Sequence, residues 1–199
     1  MSSLYQVKDL VKRVGISLES YLATPTREKE FTMYIELANV NDLNSLAVDK
    51  EKHEQWKFAL NAHINGSVRL RATNDRRYEI TSKTPISDIE SIETTSLITK
   101  PAFDQLKLFC DAGYYKTRYS IPVADTDLKW EFDVFFSQNG APHPWAKLDL
   151  EVNNLETQIP DIPIPFKQLI LANDADLSAA QKAQIDALWN KEWQRIQKA

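Results

Sequence analysis

Cysteine is nearly missing from this chain. One residue, Cys110, stands among 199, so no internal disulfide can form, and the count suits a reducing cytoplasm. Inside "FDQLKLFC" that thiol reads as a buried helix residue rather than a nucleophile. Glycine is scarce as well. Of four, Gly66, Gly113 and Gly140 fall between expected elements, where turns need them, and none builds a GxGxxG turn or a P-loop. HExxH, CxxC and GxSxG are also absent. The three histidines lack metal-ligand spacing: His53 and His63 read as lying around a helix, His143 between prolines, and all three read as structural. No apolar run is long enough to span a bilayer, and "MSSLYQVKDLVKRVG" lacks a signal peptide's apolar core. The formal net charge of −4 argues against general nucleic-acid binding, duplex DNA included.

What is present is a globular composition, 43% hydrophobic and 26% charged, in a chain long enough for one domain with helical additions. Apolar spacing predicts a helix over residues 4–22 and a second over "VDKEKHEQWKFALNA" with Asp49 as N-cap. "EKEFTMYIELA" reads as a strand, and "GSVRLRAT" and "RRYEITSK" as a hairpin turning at Asn74-Asp75. "ESIETTSL" is a weaker strand, followed by a helix over Thr99 to Cys110 with Pro101 in its first turn. "YYKTRYSIPV", "KWEFDVFFS" and "WAKLDLEVNN" are strands, and "IPDIPIPF" is an extended tie. A last helix opens with the capping box Ser178-x-x-Gln181, and its stripe of Ile185, Leu188, Trp189, Trp193 and Ile196 reads as a docking face. The class is α+β, mostly antiparallel β.

Six strands share one pattern: an apolar face and a charged face. Glu28, Glu30, Thr32, Tyr34 and Glu36 alternate with Phe31, Met33, Ile35 and Leu37. Lys147, Asp149 and Glu151 alternate with Ala146, Leu148, Leu150 and Val152. Arg69 and Arg71, Glu79, Thr81 and Lys83, Lys116 and Arg118, and Glu131 and Asp133 repeat the pattern. Two architectures satisfy it. An open sheet leaves the charges in water as cross-strand pairs. A closed barrel turns them inward around a wet tunnel and leaves the apolar faces to the helices. Segregation of sign by strand favours the barrel, and arginines beside carboxylates suit a metal–polyphosphate complex.

The order of "VRLRA", "YEITSKT", "YKTRYSI", "WEFDVFF" and "KLDLEVNN" resembles the CYTH superfamily, the triphosphate tunnel metalloenzymes, from about Glu28 to about Phe166. The resemblance implies an eight-stranded closed antiparallel tunnel with surrounding helices. It divides the chain into an N-terminal helical extension (1–24), the tunnel domain (25–170) and a docked C-terminal helix (171–199). It also implies a Mg²⁺- or Mn²⁺-dependent hydrolase of tripolyphosphate or a nucleoside triphosphate; the single cysteine and the lack of a spanning apolar run point to the cytoplasm and to no membrane partner.

Position by position, the resemblance places phosphate-binding side chains at Arg69, Arg71, Lys83, Lys116 and Arg118. Tyr119 and Phe135 fall within the matched motifs. Metal ligands fall on Glu28, Glu30, Asp149 and Glu151, and catalytic roles on Glu28, Glu30 and Lys83; Asp133, Glu93 and Lys147 are further possibilities. One departure stands out. The family opens with Glu-x-Glu-x-Lys, whereas this chain has Thr32 at the lysine position. Three alternatives therefore stay open: a capture module that binds without cleaving, a nucleotide cyclase, and a structural domain with a solvated sheet.

Overall fold

The computed structural model describes residues 24–58, 65–136, 140–154, 156–171 and 178–188. The helix expected over residues 4–22 lies outside them, as does the chain from Trp189 onward. Among the described residues, nine strands and three helices follow in order: β1 (Thr26–Leu37), α1 (Asn41–Leu46), β2 (Asp49–Phe58), β3 (Ser67–Thr73), β4 (Arg77–Pro85), β5 (Glu90–Ile98), α2 (Lys100–Lys107), β6 (Cys110–Pro122), β7 (Lys129–Phe136), β8 (Pro142–Glu151), β9 (Phe166–Leu171) and α3 (Ala179–Leu188). No helix among the described residues is long and apolar enough to cross a membrane.

The strands pair in the order β5-β4-β3-β2-β6-β7-β8-β1, and β1 pairs back onto β5, closing an eight-stranded antiparallel barrel. Closure uses only the first part of β1, where Thr26 lies opposite Glu93 and Lys29 opposite Glu90. Its second part, from Met33 to Leu37, pairs with β9 instead. The hairpin β3–β4 turns where expected, with Asn74 and Asp75 at φ 51° and 53°, a conformation Asn and Asp tolerate. The helix α2 starts where Thr99 Oγ1 accepts from the Ala102 N–H at 3.3 Å. Ser178 and Gln181 close a reciprocal capping box at α3, at 3.0 and 3.2 Å. The apolar stripe expected to dock this helix falls on side chains outside the described set.

Two expectations are corrected. The segment read as a helix with Asp49 as N-cap is the strand β2, hydrogen-bonded to β3 on one side and β6 on the other. Its residues Glu51, Lys52, Glu54 and Lys57 favour helices, but two flanking strands overrule that preference. Cys110 is buried as expected, yet it opens β6 instead of ending a helix. The proline-rich tie runs directly into β9, and Ile164 within it packs against the core.

Apolar faces point outward and form two separate cores. On β1, β6, β7 and β8 the cluster includes Ile35, Phe132, Leu148 and Leu150, covered by Leu43 of α1 and by Ile164. On the other side, Trp56, Leu70 and Tyr78 pack under Phe103 of α2, with the Tyr78 and Phe103 rings 5.3 Å apart. Each fully buried Leu or Phe contributes about 1.5–3 kcal/mol. Trp56 lies directly over Gly113, where a Cβ would come within 2.6 Å of the indole. With the apolar faces occupied on the outside, the charged faces have only the lumen.

Candidate active site: a charged tunnel

The lumen is a cavity of about 450 Å³ lined by eight basic and seven acidic side chains, so it is close to neutral overall. The charges are not evenly spread. Glu28, Glu30 and Glu151 each offer a carboxylate oxygen, and these oxygens lie within 4.8 Å of one another. Register explains the meeting: Glu30 lies opposite Glu151 across β1 and β8, and Glu28 is the next inward residue on β1. Burial, then the charge of Glu93, raises Glu28 to about 7. Burial and Glu131 raise Glu151. Burial also opposes ionisation of Glu30, but Lys147 and Lys83 outweigh it and hold its pKa low. Three crowded carboxylates, two of them with raised pKa, are a donor set for a hard cation, which takes oxygen ligands.

Lys83 stands inside this acidic group, its Nζ 3.3 Å from Glu30, 3.2 Å from Glu93 and 3.6 Å from Glu28. Burial disfavours its charge, yet Glu30 and Glu93 raise its pKa. Asp149 stands apart from the trio. It accepts from Lys147 at 2.6 and 2.5 Å and from Thr32 Oγ1 at 2.8 Å, with Arg118 3.8 Å away. Lys147 also lies 3.8 Å from Glu30. An ammonium from β8 therefore reaches the space beside Thr32.

The remaining basic groups differ in how firmly they are held. Arg118 grips Asp133 with two 2.8 Å bonds and also meets Glu131. Lys116 shares Asp133. Burial of Asp133 is outweighed by Lys116 and Arg118, which hold its pKa well below the carboxylate range. With Arg118 already on that carboxylate, burial pushes the Lys116 ammonium down to about 7. Arg71 binds Glu79 through Nε and Nη2 at 3.2 and 3.0 Å. Arg69 is looser, reaching Glu93 only at 3.4 Å.

The structure thus brings Glu28, Glu30, Glu93, Arg69, Arg71, Lys83, Lys116, Arg118, Asp133, Lys147, Asp149 and Glu151 around one lumen. Reading β2 as a helix hid its inward face, which carries Gln55 and Lys57 into the lumen and His53 beside it. Burial, then Lys116, pushes His53 down to about 3, so it is neutral. The signal was the alternation in "HEQWKF", where Trp56 and Phe58 share the outward face.

No family model and no curated protein matches this chain. Solved structures do. A Hippeastrum protein described as an adenylyl cyclase candidate with a dominant triphosphatase activity is 12% identical over 65% of this chain and 81% of its own, with a TM-score of 0.49. The hypothetical protein NE1496 is 19% identical over 79% and 96%, at 0.47. A Bacillus halodurans protein described as an adenylate cyclase candidate is 14% identical over 65% and 83%, at 0.45. These likenesses are distant, and the tunnel's own side chains carry the chemistry below. The closed eight-stranded antiparallel barrel is the architecture that the resemblance to the CYTH superfamily implies.

Proposed function

We propose that this chain is a triphosphate tunnel metalloenzyme of the CYTH superfamily, hydrolysing a phosphoanhydride of tripolyphosphate or a nucleoside triphosphate. One observation carries this reading: a closed lumen presents a carboxylate trio and a set of arginines and lysines to the same space. Glu28, Glu30 and Glu151 would hold Mg²⁺ or Mn²⁺, since oxygen donors and net negative charge fit such an ion. A divalent ion held there would polarise a phosphoryl oxygen. Arg69, Arg71, Lys83, Lys116 and Arg118 would bind phosphoryl oxygens through charge-assisted hydrogen bonds. Asp133 orients Arg118 and Lys116 toward the lumen, and Lys147 places positive charge beside Thr32. Positive groups fixed before the substrate arrives stabilise the charge that develops as the anhydride breaks.

Incubation with tripolyphosphate, ATP and GTP, with and without Mn²⁺, tests this reading. Metal-dependent release of phosphate or pyrophosphate is expected; cyclic nucleotide would redirect it to cyclisation. A second reading, capture without cleavage, is favoured by Thr32, whose hydroxyl is occupied by Asp149. Thermal protection by tripolyphosphate with no product would support it.

A further inference from the structure

The barrel wall forks beside the carboxylate trio. β1 pairs with β5 as far as Lys29 and Glu90, with a last bond from the Glu30 N–H to the Ile89 carbonyl at 3.0 Å. Its pairing with β9 starts only at Met33. Among the described residues, Phe31 and Thr32 therefore have a strand partner on the β8 side alone. At this fork lies a second cavity of about 110 Å³, several times the space one water molecule needs. Glu30, Thr32 and Lys83 line it from the tunnel, and Ser87, Asp88 and Ile89 from the β4–β5 turn. The same Glu30, Thr32 and Lys83 line the lumen, so these three side chains form the partition between the two spaces. Side-chain contacts hold that partition, not a backbone ladder: Lys83 Nζ lies 3.3 Å from Glu30 and Thr32 Oγ1 3.5 Å from it. On the outer side Ser87 and Asp88 are exposed, so the cavity runs from solvent to Glu30.

From this fork we infer a side port of the tunnel, through which a small cation reaches Glu30 while an anionic chain occupies the lumen. The inference rests on the triphosphate reading and adds an order of loading to it. A polyphosphate in the lumen stands in the way of a cation that enters along the tunnel axis. The fork bypasses that route, and its charge suits the cargo. Among its described lining residues, Glu30, Asp88 and Glu90 stand against one ammonium, that of Lys83. Glu90 is bound by Arg27 at 2.6 Å, which leaves Asp88 as the carboxylate at the outer mouth and Glu30 as the one at the inner end. A passage lined by one sign of charge concentrates the opposite ion and raises its rate of arrival by roughly 10–10³-fold, while it repels phosphate. Ser87, Ser91 and Thr32 add hydroxyl oxygens along the way, which suit a hard ion shedding water. An anion in the lumen competes with Glu30 for Lys83, so the partition loosens once the chain is bound.

A reversible plug tests the port. Ser87→Cys places a thiol in it, and because Cys110 is buried, a benzyl methanethiosulfonate reagent marks the turn alone until a reductant removes the adduct. Protein that is empty, or filled with one equivalent of tripolyphosphate, is mixed rapidly with Mn²⁺, and the loss of the free-ion paramagnetic resonance signal gives the loading rate. In the filled protein the adduct should slow loading roughly tenfold or more, and reductant should restore it. The empty protein, open along its axis, should load at close to the unmodified rate. Asp88→Lys, a charge reversal on the exposed turn, should also slow the filled protein, whereas the same adduct on Ser45→Cys, exposed on α1, should change nothing. If the filled protein loads equally fast with and without the Ser87→Cys adduct, or if the adduct slows empty and filled protein alike, the port is wrong while the triphosphate reading stands. If wild type binds neither Mn²⁺ nor tripolyphosphate, the triphosphate reading falls and takes the port with it.

Discussion

Replacing Lys147 by methionine keeps the bulk of the side chain and removes its charge. The ammonium it removes lies 2.5 Å from Asp149, a carboxylate only 2% exposed, and 3.8 Å from Glu30. Breaking a buried pair by deleting one partner commonly costs about 3–5 kcal/mol. Here Asp149 keeps Thr32 and a distant Arg118, and the Lys147 side chain is 21% exposed to the lumen, so a loss of about 1–3 kcal/mol is expected. Urea denaturation measures that loss. Phosphate release from tripolyphosphate measures the second effect: without a cation beside Thr32, the rate should fall roughly 10²–10³-fold, as for other preorganised charge contacts. Thr32 lies opposite Asp149 in register, so a lysine there can reach the same carboxylate from β1. Thr32→Lys alone should gain little, because Lys147 already fills the place; in the Lys147→Met background it should restore both stability and rate. A Lys147→Met protein with wild-type stability and turnover would refute this reasoning, as would a double variant no better than the single.

Glu151→Gln should abolish the thermal shift produced by Mn²⁺ and slightly raise stability without metal, since it removes one charge from a crowded trio. Differential scanning fluorimetry with and without Mn²⁺ reads both effects, and an undiminished shift would exclude Glu151 as a ligand. Arg71→Ala should weaken polyphosphate binding by about 1–3 kcal/mol and also cost stability, because Glu79, 1% exposed, would keep only Arg77 at its side. Paired titration and denaturation separate the two losses. His53 is buried neutral, with its pKa lowered from 6.5 to about 3, so the unfolded chain binds the extra proton. Its contribution is complete above pH 6.5 and is lost as pH falls below that, by about 1.4 kcal/mol per unit. His53→Gln should therefore flatten the acid limb of stability between pH 6.5 and 4.5, and denaturation midpoints with parallel slopes in both proteins would contradict it.

The sequence by itself determined several features whose cause is local. Alternation in β1, β3, β6, β7 and β8 assigns each charged residue to one face, because a strand repeats every two residues. Asn74-Asp75 sets a turn since those residues tolerate positive φ, and Ser178 with Gln181 caps a helix from three residues away. β2 escaped because its ten residues carry charge on both faces, leaving Trp56 and Phe58 as the only apolar markers. What the tertiary structure alone decided is which charges meet. Closure of β1 on β5 brings Lys83 and Glu93 to Glu28 across more than fifty residues of chain, and the β1–β8 register sets Glu151 against Glu30 while giving Asp149 to Thr32. Register and closure are settled by backbone pairing between distant segments and by packing of the outer cores, and a single strand's pattern holds no trace of its partner's offset.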